Sequence, residues 1–344
     1  MANFLANIIF QLIAAVIGHK LPIHIKCTLM NVLLGASFIF LPFVAHNLGS
    51  HTPWILYGLV FIVGCFNAIL QASVFGLGGM LPFKYTIAIM GGNGVAGLLI
   101  GIARMICLFA FGENQDKVWL GTLIYFIIAL IIVLTGVVGF FFIQSNSTMK
   151  KYMANSKATV ASESYISIWN KISVEAIIVF ITFVLTFLVF PAVALFEPLP
   201  RWSDRTELDT DWNLAFMGFI FNLFDTIGRF LPILFKGVSK DRLYMVLLSR
   251  FVFLITFGLL FMYPCSKTSG AGYYLISLLN MALFSFTNGY SSSLAMGYGP
   301  SNVSDENKSI AGNMMSFHLI FGIFIGTMGG KGINRMFKYF IRQK

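Results

Sequence analysis

WNLAFMGFIFNLFDTIGRFLPILF, residues Trp212–Phe235, decides the fold. It is an apolar run of about twenty residues, the length that crosses hydrocarbon as a helix. Yet it holds a carboxylate, Asp225, and a guanidinium, Arg229. Residues four apart share one helix face, and Gly218, Asn222, Asp225 and Arg229 step along that face as one stripe. An ionisable group at the centre of a bilayer costs about 3 kcal/mol or more unless it faces a cavity or a partner. The stripe therefore predicts a polar path through a helix bundle, with Asp225 and Arg229 on its wall.

The rest of the chain supports the membrane setting. Hydrophobic residues make up 58% of the 344 and charged residues only 10%, against about 25% charged in a soluble domain; the mean hydropathy is +0.83. The apolar runs are too long, and alternate too little, for a barrel. An all-α, multi-pass helix bundle is the expected fold, with about ten spans near 4–18, 27–47, 53–79, 86–111, 118–143, 174–196, 213–235, 243–263, 272–297 and 310–330. The long polar break at 145–173 divides an N-terminal half (1–144) from a C-terminal half (174–330), and residues 331–344 form a basic amphipathic tail suited to a membrane surface.

The net charge of +10 does not point to nucleic acid, because most basic residues sit in short loops. With 145–173 cytoplasmic, the loops on that side carry eleven Lys and Arg against four on the other, the bias that fixes orientation. Cys27, Cys65, Cys107 and Cys265 show no metal-ligand spacing and read as buried thiols. No metal or cofactor is expected.

Other polar residues punctuate the apolar runs. Asn3, Asn7 and Gln11 repeat every fourth residue on the first span, a polar face that calls for a neighbouring helix missing from the chain. Asn67 and Gln71 repeat likewise on the third. Gly92-Asn-Gly94-Val-Ala-Gly97 mimics a dinucleotide fingerprint, but that motif needs a strand before it. Gly94, Gly97 and Gly101 instead let helices approach closely, as do Gly322, Gly326 and Gly330. Such stripes can pack helices within a monomer or between monomers. Arg104 is placed to snorkel. Arg250 suits a structural or gating role, and His318 a neutral, hydrogen-bonded state or the carrying of a proton. Thr287-Asn288-Gly289-Tyr290 reads as a polar, flexible point lining a cavity. Asp225 is the only acidic residue expected deep within a span. No His-Glu-x-x-His, no Gly-x-Ser-x-Gly and no pair of intramembrane aspartates suggests an enzyme.

Taken in order, Gln71-Ala-Ser-Val-Phe-Gly76 with Pro82 and Tyr85, Gly92 to Gly97, Thr186-Phe-Leu-Val-Phe190-Pro191, Phe224-Asp225 with Gly228-Arg229, Arg250, and Thr287 to Tyr290 with Pro300 form a set that resembles the equilibrative nucleoside transporters. The resemblance implies a major-facilitator-like bundle of two pseudo-symmetric halves. It implies alternating-access movement of nucleosides or nucleobases, facilitated or proton-linked, across the plasma membrane or an internal one. Gln71 matches the family glutamine at the base, Asp225 and Arg229 the pair near the ribose, and Asn288 a cavity-lining position. Asn67 adds a further amide. The family's first span, with its Pro-Trp-Asn signature, has no counterpart, and Arg104 and His318 depart from the family pattern. Two other readings follow from these features: a non-transporting membrane relative, and a carrier of an anionic solute served by the arginines.

Overall fold

The computed structural model describes residues 2–17, 23–47, 52–111, 115–147, 149–152, 163–191, 207–235, 237–262 and 271–342. Cys265, Lys157, Arg201, Arg205, Lys267 and most of the linker after Tyr152 lie outside them. Among the described residues there are helices and turns and no strand. The helices are α1 (Ala2–Ile17), α2 (Ile23–Asn47), α3 (Thr52–Met80), α4 (Phe83–Phe111), α5 (Gln115–Ser145), α6 (Tyr165–Val189), α7 (Glu207–Leu234), α8 (Leu243–Ser249), α9 (Phe251–Met262), α10 (Ala271–Ser301) and α11 (Lys308–Arg342).

The expected spans fall on these helices, the eighth on α8 and α9 together, and among the described residues eight segments are long and apolar enough to cross a membrane. α1 and α10 are not among the eight. α1 offers only a short apolar stretch, Asn3–Ala14. α10 is diluted by Ser285, Thr287, Asn288 and Ser291 to Ser293. Large side chains such as Trp54, Phe109, Phe142 and Leu234 stand exposed on the spanning helices. The chain is an integral, multi-pass membrane protein, and such surface is what lipid covers.

Three boundaries differ from the sequence reading. α6 begins at Tyr165 rather than near 174, because Ile168, Ile172, Ala176, Val179 and Phe183 make one continuous buried stripe. Its start is anchored by Glu163, which accepts from Ser167 and Lys171 at 2.7 Å. Those bonds, that from Lys171 first, hold the Glu163 carboxyl below the usual carboxylate range. α6 stops at Val189, before Pro191, whose ring bars further helix. The eighth span breaks at Arg250 between α8 and α9. The basic tail continues α11 rather than forming a separate element.

Contacts divide the chain into two compact units. The first comprises Met1–Ile89, Asn114–Ala176 and Met296–Ile320, the second Met90–Glu113, Ile177–Ala295 and Phe321–Lys344. In the first, α2 packs on α3 and α5, with Phe38 edge-on to Phe126 and Phe43 edge-on to Trp119. The polar face of α1 finds partners within this unit: Asn67 of α3 donates to Asn7 at 3.1 Å, and Gln11 donates to Ser316 of α11 at 3.3 Å. In the second, Val189, Met217, Phe221, Phe257, Met281 and Phe284 form the apolar core.

Of the glycines read as packing sites, Gly94, Gly97, Gly322 and Gly326 pack closely. In the second unit a Cβ on Gly97 would lie 2.7 Å from Asn222 Oδ1. One on Gly94 would lie 2.9 Å from Thr226 Oγ1, so these glycines seat α4 on α7. Gly322 and Gly326 seat α11 on the Phe180 and Val184 carbonyls of α6.

Candidate functional site

The stripe on α7 meets α10 inside the second unit. Asp225 is 4% exposed, Arg229 8%, Asn288 1% and Arg250 0%. Arg229 Nε donates to Asp225 Oδ2 at 2.6 Å, a turn-spaced ion pair. Asn288 Nδ2 donates to Asp225 Oδ1 at 2.7 Å. Both carboxylate oxygens are thus engaged, which is what a buried charge requires.

The network continues past Asn288. Thr186 Oγ1 on α6 donates to Asn288 Oδ1 at 2.7 Å, and Arg250 Nη2 donates to Thr186 Oγ1 at 2.7 Å. Arg250 Nη1 reaches Thr287 Oγ1 at 2.8 Å and the Phe284 carbonyl at 3.0 Å, while its guanidinium carbon lies 5.0 Å from the Phe284 ring centroid. The break between α8 and α9 brings this side chain inward. Its backbone N–H bonds Leu247 O in a tight turn, and Phe253 N–H takes the Arg250 carbonyl. Arg250→Lys is therefore expected to destabilise the protein by about 3 kcal/mol, because an ammonium cannot reach Thr186 and Thr287 together. A thermal-shift measurement on purified protein checks this.

Close helix contact makes the network possible. A Cβ on Gly289 would collide with the Asp225 carbonyl oxygen, and one on Gly228 with the Phe286 carbonyl oxygen. The Asn288-Gly289 pair is thus no flexible point. It lies inside an unbroken α10, where the missing side chain lets α7 approach. Arg229 also sends Nη1 to the Met90 carbonyl of α4 at 3.4 Å, and its Nη2 has no partner among the described residues.

The remaining expected site residues lie elsewhere. Gln71 is half-buried on α3 in the first unit and makes no protein hydrogen bond among the described residues. Asn67 is committed to Asn7, which itself holds Asn3. Arg104 is exposed towards the end of α4, as snorkelling requires. His318 donates from Nδ1 to the Met314 carbonyl at 2.7 Å and stacks on Trp169 with centroids 4.8 Å apart. Among the described residues no group of His, Cys, Asp and Glu could hold a metal.

Sequence reasoning missed two groups. Thr186 was visible only as part of a motif, although a threonine one turn from Thr182 in an apolar run is itself a polar signal. Glu175 is a second buried carboxylate, 6% exposed, so Asp225 is not alone. The earlier start of α6 puts Glu175 well inside the helix instead of at its mouth.

Comparison with known proteins gives the family. The family model described as "Nucleoside transporter" matches residues 57–167 and 153–329. The chain is 28% identical over 310 residues to equilibrative nucleoside transporter 1 of Homo sapiens, covering 78% of this chain and 66% of that protein. It is 24% identical over 325 residues to equilibrative nucleoside transporter 2 of Homo sapiens, covering 78% and 69%. It is 20% identical over 313 residues to equilibrative nucleotide transporter 1 of Arabidopsis thaliana, covering 86% and 67%. The chain spans just under two thirds of the human type 1 relative, at 66%. The matched family is one of transporters and not of enzymes. With its motifs in order from Gln71 to Pro300 and the family model matched over most of its length, the chain belongs to the nucleoside transporter family.

Proposed function

We propose that this protein carries nucleosides across a membrane by alternating access between its N-terminal and C-terminal halves, with 145–173 as the cytoplasmic connection. The observation that carries the reading is the buried Asp225–Arg229–Asn288 network at family-matched positions. A nucleoside is uncharged and rich in hydroxyl donors. A carboxylate held by two donors can exchange the Asn288 amide for a ribose hydroxyl with little net change, since hydrogen bonds traded one for one differ by only about 1 kcal/mol. That exchange suits a carrier, which must release what it binds. Selectivity comes from the other side of the same balance: a ligand that leaves a buried group unpaired costs about 1–3 kcal/mol. Nucleobases and proton linkage belong to the same reading as extensions of it.

Gln71 is assigned to the base edge through the family resemblance, and its unpaired amide supports that role. The test is uptake of labelled adenosine and uridine into proteoliposomes containing the purified chain. Saturable uptake is the expected result; folded protein with no saturable flux overturns the reading. Gln71→Ala is expected to shift the adenosine-to-uridine ratio by about tenfold while the maximal rate changes less. An unchanged ratio removes Gln71 from the base site.

A further inference from the structure

We propose that Gln11 on α1 is a second base-reading amide, working beside Gln71 on α3. This rests on the nucleoside reading above and adds a residue to it. Four observations, all within the first unit, carry it.

First, α1 and α3 run parallel and in register. A Cβ on Gly64 would lie 2.7 Å from the Asn3 carbonyl oxygen and 2.8 Å from Ala6 Cβ. One turn on, Asn67 donates to Asn7 at 3.1 Å. A further turn along both helices brings Gln71 and Gln11 to one level, since residues four apart stay on the same face. Ala68 and Ala72 are small and buried, which keeps the helices close there.

Second, Gln11 is buried and only half satisfied. Its Nε2 donates to Ser316 Oγ of α11 at 3.3 Å. Its Oε1 is buried with no hydrogen-bond partner among the described residues. The bond to Ser316 engages the amide nitrogen and leaves Oε1 as the available acceptor. Third, the amide at the same level, Gln71, also makes no protein hydrogen bond among the described residues. Fourth, one turn before Ser316, Asn313 Oδ1 is another buried acceptor without a partner among the described residues, set against Gly76 of α3. Buried polar side chains are as a rule paired, so unpaired acceptors grouped at one seam call for a ligand that donates.

The chemistry selects the ligand group. An acceptor oxygen takes an N–H, and a nucleobase edge offers one: the exocyclic amine of adenine or cytosine, or the ring N–H of uracil or hypoxanthine. Gln71, whose amide makes no protein hydrogen bond among the described residues, can then serve the neighbouring atom of the same edge. A base stripped of its N–H donor leaves Gln11 Oε1 as unpaired as it is without ligand, and loses affinity accordingly.

The test compares adenosine with purine riboside, which carries hydrogen in place of the exocyclic amine, as competitors of labelled adenosine uptake in proteoliposomes. Wild type is expected to prefer adenosine by roughly ten- to a hundredfold, the range for a buried acceptor denied its donor. Gln11→Met keeps the volume and removes the amide, and its preference is expected to fall to within about twofold of equality through loss of adenosine affinity, with purine riboside affinity kept. Ser316→Ala frees the amide to rotate and is expected to give an intermediate ratio. A wild-type ratio in folded, transporting Gln11→Met overturns the proposal. If Gln11→Met does not fold, the ratio in Ser316→Ala decides, and an unchanged ratio there overturns it equally. Wild-type protein with no saturable uptake is a different failure: it rejects the nucleoside reading, and the role of Gln11 falls with it.

Discussion

Asp225→Asn is expected to lower saturable nucleoside uptake by at least about tenfold, the equivalent of one buried hydrogen bond of about 1.4 kcal/mol, while the protein still reaches the membrane. The geometry makes the change severe despite its small size. Asp225 Oδ2 takes Arg229 Nε and Oδ1 takes Asn288 Nδ2, so both sides of the carboxylate face donors. An amide can meet only one of them; its own NH2 confronts the other. Arg229 and Arg250 also lose the carboxylate that their shared network holds. Removing one partner of a buried ion pair costs about 3–5 kcal/mol, so a lowered Tm is expected beside the lost uptake. Proteoliposome uptake and a thermal shift on the same preparation check both. Uptake equal to wild type rejects the assigned role.

Gly289→Ala is expected to have a comparably large effect for a different reason. The added methyl group would collide with the Asp225 carbonyl oxygen, with Arg229 N 2.9 Å away. These are backbone atoms of a helix and cannot rotate aside, so α7 and α10 must separate. Overpacking of this kind costs about 1–3 kcal/mol, and here the same displacement pulls Asn288 from Asp225. Loss of both thermal stability and uptake is the expected outcome. Gly218→Ala on the facing helix α7 is the control, because a Cβ there meets nothing within 4 Å and alanine favours helix. It is expected to leave the Tm unchanged or slightly raised. Equal effects at Gly218 and Gly289 would discard the close-contact account.

The contrast between these glycines shows where sequence stops being legible. Gly94 and Gly97 were readable as packing glycines, since their spacing repeats on one face and no strand precedes them. Gly289 was not, because Asn-Gly is a turn signal and nothing local shows that a partner backbone lies against it. The same holds for the site. Asp225 and Arg229 declare themselves by carrying charge in an apolar run, and their pairing follows from turn spacing. The bond from Asn288 to Asp225 spans 63 residues and depends on how two helices cross. Glu175 was misjudged through a boundary: the apolar run seemed to open near it, whereas Ile168 and Ile172 extend the buried stripe upstream. The polar face of α1 was legible, but its partners were not, since Ser316 lies 305 residues away.

Thr186 gives the second unit's network a property that its other members lack. Its single hydroxyl proton has two acceptors at 2.7 Å, Asn288 Oδ1 and the Thr182 carbonyl of its own helix. When Asn288 turns away, that proton rotates back to Thr182, and Arg250 still finds the Thr186 oxygen as an acceptor. The circuit has a bypass: one contact can open and reclose while the Thr186 hydroxyl and the Arg250 Nη2 donor beyond it keep their partners. A fully interlocked set of bonds would resist every cycle of binding and release, whereas this one can be interrupted at Asn288 and restored.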